Sequence, residues 1–332
     1  MNSSVLIEAT TSLTQGVTKA VQYGQAVKAH VVYLSHYQLL PYNRIQEYFA
    51  DQLGLPMSEG SIYNFNHQAY AQLAEFEAIS KAHLVESPCL HADETGINIK
   101  GKRHWLHGTS NDPWTHFFPH AKRGTEAMND IGILPLYHGI LCHDHWKPYY
   151  QYDCTHSLCN AHHVRELTRA WEQDKQEWAR DMKQLLEKMN AAVNEAGGLL
   201  SDQDAEQWKE KYRECLGKAE IECPPPDKPK NVKRGRIKRS KARNLLERLI
   251  DFEEDVLRFM THPDVPFTNN AAENAIRMTK VQQKISGCFR SAKGAEMFCR
   301  IRGYLSTCRK QGVSATQAMT WVFEGKLPEF AL

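Results

Sequence analysis

The sequence predicts a mixed α/β protein in which a sheet-bearing centre lies between helical segments. Three observations carry this reading. Apolar residues recur at helical spacing over roughly the first 80 positions. Strand-like segments take over from Pro88, and long polar helix-periodic sequence returns from Thr168. A length of 332 residues suits two domains, or one large domain carrying an insertion.

Residues 1–84 read as helical. "KAVQYGQAVKAHVVYLSHYQLL" places Val21, Val27, Val31 and Leu34 at helical spacing. Pro41 opens "YNRIQEYFADQLG", Gly54 and Pro56 end it, and Ser58 can cap "EGSIYNFNHQAYAQLAEF". The two short helices around a glycine-containing turn resemble a helix-turn-helix, in which Ser61, Tyr63, Asn64 and His67 would face DNA; a plain helical hairpin is the alternative. From Pro88, "CLHAD", "INIKGKRHWLHGTS" and "WTHFFPH" read as three successive strands with turns at Gly101 and "NDP". A helix follows at "GTEAMNDIGI", then a strand at "GILCHD" ending on Asp144, then "THSLCNAHHVREL" as a strand running into a helix. A three-strand meander followed by strands joined through a helix is the order of the ribonuclease H fold. On this reading residues 85–168 form the first part of a ribonuclease H-like core and 169–262 an all-helical insertion with a basic loop at 228–243. Residues 263–310 complete the core and 311–332 are a helical tail.

A hydrophobic content of 42% with 24% charged residues describes a globular chain with ample core. No run of about 18 apolar residues is present, so no membrane span is expected. "MNSSVLIEAT" does not read as a signal peptide, and nine irregularly spaced cysteines read as reduced thiols, so a cytoplasmic location is expected. The net charge of +2 averages over contrasting segments. From Lys228 to Arg243 there are nine basic residues and no acid, and from Val265 onward ten Lys or Arg against four acids. Such local basic surfaces suit a polyanionic partner, although a charge run can equally be a solvated loop. The sequence has no phosphate-binding glycine loop, no Ser-His-Asp signature and no dinucleotide fingerprint, which argues against a kinase, a serine hydrolase or a dehydrogenase.

The candidate chemistry is carboxylate chemistry. Asp93 and Asp144 each terminate an expected strand, and acids at the ends of neighbouring strands can converge on one divalent cation. Asn269 is a natural cap for the next helix, with Glu273 in its first turn. Glu273, Arg277, Lys280 and Lys284 share one helix face, and Ala271, Ala275, Met278 and Ile285 are expected to face the core. The face suits a metal ligand followed by a phosphate grip; an ordinary Glu–Arg surface pair is the alternative. "CTHSLCNAHH" has the composition of a zinc site, with Cys159 and His162 as the ligands of choice. Its crowded spacing fits no closed site well, so zinc is not expected.

Together "HADETG" with "WLHGTS", "HAKRGTEAM", "GILCHDHWKPYYQY", "CNAHHVREL" and "TNNAAENAIRMTKVQQKISGCFRS" resemble the insertion-sequence-66 family of bacterial DDE transposases. The similarity runs from about Tyr23 to the end, in a compact form without the N-terminal zinc module of longer members. The resemblance implies that Asp93, Asp144 and Glu273 are the catalytic, metal-binding acids, 51 and 129 residues apart. It places Cys159, His162 and Arg165 beside them. It implies two Mg²⁺ or Mn²⁺ ions, cleavage of double-stranded DNA at transposon ends, and strand transfer into target DNA. A homo-oligomer and accessory proteins of the same element are the expected partners. DNA contacts are assigned to Arg165, Lys233, Arg234, Arg236, Lys238, Arg239, Arg277, Lys280, Lys284 and Arg290. A ribonuclease H-like nuclease without joining activity, or an inactive DNA-binding remnant, are the alternatives.

Overall fold

The computed structural model describes residues 23–226 and 238–332. Its centre is a five-stranded sheet of β1 (Cys89–Ile99), β2 (Lys102–Ser110), β3 (Thr115–His120), β4 (Ile140–His143) and β5 (Thr155–Leu158), in the order β3-β2-β1-β4-β5. The first three strands form an antiparallel meander, and β4 and β5 run parallel to β1. Lys100 and Gly101 join β1 to β2 with φ of 52° and 78°. Two left-handed residues in a two-residue loop make the turn whose twist matches flanking strands.

One correction concerns the first strand. "CLHAD" and "INI" are not separate strands: β1 runs unbroken through Asp93 to Ile99 and pairs with β2 from His91 to Ile99. Its pairing with β4 covers only Cys89 to His91 and stops at His91–Cys142, so most of this 11-residue strand lies beyond the end of that neighbour. Asp93 therefore stands in mid-strand, at the point where β4 ends.

Among the described residues four helices precede the sheet: α1 (Gln25–Val32), continued by a π-helical turn at Tyr33–Tyr37, then α2 (Tyr42–Leu53), α3 (Glu59–Gln72) and α4 (Ala74–Val85). Gly54 ends α2 at φ 63°, and the Ser58 hydroxyl caps α3 by accepting from the Ser61 amide, as the sequence suggested. The side chains of Ile62, Phe65 and Ala69 bury the inner face of α3, leaving Tyr63, Asn64 and His67 outside. α5 (Thr125–Ile131) connects β3 to β4, and β5 runs directly into α6 (Asn160–Glu172). Then come α7 (Glu177–Glu195), α8 (Asp202–Glu222), α9 (Lys241–Asp251) and α10 (Glu253–Leu257), before α11 (Asn270–Ser286), α12 (Ala292–Lys310) and α13 (Ala315–Glu324).

The sheet separates apolar clusters. Leu90, Ala92 and Leu141 join the core shared with α1–α4, α12 and α13, whereas Cys89, Cys142 and Leu158 pack under α6–α10. Alternating side chains of one strand thus reach opposite faces. α12 crosses β3 closely: a Cβ on Gly303 would sit 3.2 Å from the Thr115 carbonyl oxygen. The Thr307 hydroxyl accepts a 3.0 Å hydrogen bond from the Thr115 amide at the same crossing. Among the described residues no helix is long and apolar enough to cross a membrane.

Candidate metal centre and nucleic-acid interface

The geometry of the candidate site follows from strand register. His91 pairs with Cys142 in the parallel ladder, so two residues further on Asp93 and Asp144 come level. The Asp144 carboxylate accepts a 3.1 Å hydrogen bond from the Trp146 amide, and His145 between them takes a left-handed φ of 68°. This turn ends β4. Asp93 accepts from the Glu94 amide at 2.8 Å.

α11 delivers the third acid, and a side chain that the sequence assigned to another task fixes its start. Asn269 does not cap α11 with its side chain. Instead its amide NH₂ donates to the Ala92 carbonyl at 2.9 Å, and its Oδ1 lies 2.7 Å from His91 Nδ1. Its backbone N–H points to Cys159 Sγ at 3.1 Å. One buried residue therefore ties α11 to β1 and to the start of α6. Glu273 follows one turn later.

Burial first, then the charges of Glu94, Asp144 and Glu273, push the Asp93 carboxyl up to about 7, against the hydrogen bond from the Glu94 amide. The charges of Asp144 and Glu273 both act on Asp93, so the three acids share one neighbourhood, although their carboxylate oxygens do not all come within 4.8 Å of one another. Three carboxylates that repel one another offer the hard oxygen donors and net negative charge that a divalent cation requires. Glu273 also meets a second set of groups. Arg165 Nη2 donates to it at 2.9 Å, and His162 Nδ1 lies 3.6 Å away. Cys159, His162 and Glu273 offer ligand atoms within 4.8 Å of one another. The Cys159 thiol is pushed up by burial, while backbone hydrogen bonds oppose the shift. A further trio of potential ligands, Cys89, His91 and Cys142, lies buried beneath Asp93.

Glu94 was not singled out from sequence, yet it anchors the other face of β1. Its side chain is almost completely buried, accepts 2.7 Å from Arg123 Nε and receives the Tyr149 hydroxyl at 2.6 Å. The Arg123 guanidinium lies between two indoles, 4.9 Å from the Trp105 ring centre and 4.3 Å from that of Trp146. Trp146 belongs to the turn that holds Asp144. The adjacent acids of "DETG" therefore part company: Asp93 joins the acidic cluster, and Glu94 locks the turn beside it. The available signal was the "KR" at Lys122 and Arg123 with tryptophans on either side, but nothing in the spacing paired them.

The basic residues fare unevenly. Arg277 and Lys284 are exposed along α11, whereas Lys280 Nζ is held by the Gly96 carbonyl at 2.8 Å. Arg290 is the most open, with 92% of its side chain exposed and only Glu59 within 3.9 Å. Arg239 is paired with Glu247 at 2.6 Å, and Lys238 is exposed. Lys233, Arg234 and Arg236 lie outside the described residues, as does Val21. The expected apolar side of α11 is shifted by about one position. Ala272, Ile276 and Thr279 are buried, Ala275 and Met278 are half-buried, and Ile285 is 42% exposed. Gly108 of β2 makes room for this face, since a Cβ there would stand 3.0 Å from Ile276. The side chain of Ala271 lies outside what is described.

Comparison with known proteins adds two findings. The family model for "Transposase IS66 family" matches residues 20–297. Over 70 residues the chain is 36% identical to the uncharacterized protein y4jO of Sinorhizobium fredii, a stretch that spans 21% of this chain and 22% of that relative.

Proposed function

We propose that this chain, which belongs to the IS66 transposase family, processes DNA, cleaving and joining it by a DDE mechanism with Asp93, Asp144 and Glu273 as the metal-binding acids. The observation that carries this reading is the parallel register that brings Asp144 level with the buried Asp93 where β4 ends, with Asn269 tying the start of the Glu273 helix to the same strand. The strand order β3-β2-β1-β4-β5, with β4 and β5 parallel to β1, supports a ribonuclease H-like core. Residues 85–168 and 263–310 are proposed to form it, with 169–262 as the helical insertion and helical regions at 1–84 and 311–332.

Magnesium or manganese fits three carboxylates better than zinc does. When bound, two such ions supply activation of the attacking oxygen and stabilisation of the departing one. The chain's own residues set the geometry. The Asp144 turn is fixed by Trp146 and its Arg123 contact, and α11 is fixed by Asn269. Arg165, next to Glu273, is placed to meet a phosphate, and Arg277 and Lys284 extend a cationic face along α11. No nucleophilic serine or tyrosine is required, because water and then a 3′-hydroxyl attack phosphorus directly. A double-stranded DNA substrate, a homo-oligomeric assembly and accessory proteins of the element belong to the same reading.

A second reading has its own observation. Cys159, His162 and Glu273 lie close enough to hold zinc, which would take Glu273 away from the acidic cluster. One experiment separates the two: cleavage of labelled DNA carrying the element's ends with Mg²⁺ or Mn²⁺, for wild type and Glu273→Gln, alongside metal content of the purified protein. The proposal expects Mg²⁺-dependent nicking that vanishes in Glu273→Gln, with no stoichiometric zinc. Equal cutting by both proteins would remove Glu273 from the site. Stoichiometric zinc lost in Cys159→Ser would favour the second reading.

A further inference from the structure

A cleft of about 920 Å³ lies away from the acids, between the α1–α3 region and the junction of α11 with α12. Its floor is apolar and aromatic, with Leu39, Phe289, Met297 and Phe298. Its rim carries Arg44, Arg290 and the 39%-exposed ring of Tyr63. His36, in the π-helical turn, lines the cleft. It is buried, and neither ring nitrogen meets a hydrogen-bond partner. Burial, then the charge of Arg302, holds that imidazole neutral, with its pKa lowered to about 3. A neutral imidazole offers one donor and one acceptor. Such orphaned groups at the base of a large cleft mark a place for a ligand with a polar edge.

We infer that this cleft receives an unpaired nucleobase of the bound DNA, stacked against Tyr63, its polar edge toward His36 and its phosphates near Arg44 and Arg290. A flat heterocycle with hydrogen-bonding edges suits the aromatic floor and the imidazole of His36, which can offer an unpartnered nitrogen to such an edge, and the cationic rim suits its backbone. Glu59, 3.9 Å from Arg290, is the one carboxylate on the rim. The inference rests on the reading that DNA follows the basic face of α11. From Glu273 to Ser286 that helix rises about 20 Å at 1.5 Å per residue. The cleft at its far end is therefore about six nucleotides of strand from the acids.

The test compares binding of the full chain to a blunt duplex and to the same duplex with a single-stranded 3′ extension of about eight nucleotides. Wild type is expected to prefer the extended DNA by about tenfold, within the range that stacking of a base on an aromatic side chain supplies. In Tyr63→Ala and in Arg44→Ala that preference falls to near unity, while circular dichroism reports folded protein. A 2-aminopurine moved stepwise along the extension should change its fluorescence at one position and lose that change in Tyr63→Ala. Equal binding of both DNAs by wild type, or a preference that survives both substitutions, overturns the inference. A loss of affinity shared equally by both DNAs also overturns it, since that assigns the residues to general backbone binding. The measurement uses no cleavage, so it stays readable even if the catalytic assignment of the acids fails.

Discussion

The two faces of β1 put neighbouring carboxylates to opposite uses. On one face Glu94 is saturated: it accepts from the Arg123 guanidinium and the Tyr149 hydroxyl, and two indoles flank that arginine. On the other face Asp93 has a single backbone N–H as donor, while the charges of Glu94, Asp144 and Glu273 all act against its ionisation. Satisfied polar groups stabilise a fold; groups left in mutual repulsion are held there by the rest of the fold and are ready for a cation. The contrast sets the satisfied side of the strand apart from the side that carries an unsatisfied acid.

It can be broken from the Glu94 side first. Glu94→Ala leaves the Arg123 guanidinium half-buried without its partner and should lower unfolding free energy by about 3 kcal/mol, read from urea denaturation. A loss below about 1 kcal/mol would make the pair an ordinary surface contact. Asp93→Asn should act in the opposite direction. The folded carboxyl titrates near 7 and the unfolded one near 3.8, so its contribution to stability is complete below pH 4 and is lost as pH rises through 7. Without metal, the variant should therefore be more stable than wild type at pH 8, by roughly 2–4 kcal/mol, and equal to it at pH 3.5. Added Mg²⁺ should narrow that gap by raising only the wild-type melting temperature.

A smaller effect is expected where the two faces communicate. Asn269→Ala removes the hydrogen bonds to His91 and Ala92 and should cost about 1–2 kcal/mol. Because it also frees the start of α11, DNA cleavage should fall further than stability alone explains, with DNA binding retained. The smallest change is expected at Lys284. Its replacement by alanine should leave stability within about 0.5 kcal/mol and reduce the salt dependence of DNA binding by about one phosphate contact.

Much of this arrangement could be read from the chain. The helix within "GTEAMNDIGI", the strand-to-helix passage at "THSLCNAHH", the Ser58 cap and the Gly101 turn all rest on local rules, and they appear where those rules put them. The unbroken β1 was harder to see. Two acids, a threonine and a glycine in "DETG" look like a strand end, but pairing with β2 carries the backbone straight through them. Asn269 was legible as a cap and works as a tether, because Ala92 and His91 lie far upstream and only tertiary folding brings them to it. The Glu94 clamp failed to show for the same reason. Arg123, Trp105 and Trp146 come from three segments with no common period.

The excursion of helices α6 to α10 has a consequence of a different kind. Where the chain leaves the sheet, the Asn160 amide donates to the Phe267 carbonyl at 3.0 Å, and the Asn160 side chain holds the Val256 carbonyl at 2.9 Å. Departure and return are stitched together at the base, beside Asn269 and its contact with Cys159. The excursion thus begins and ends at one clasp, and the position of Glu273 hangs on two asparagines at its foot.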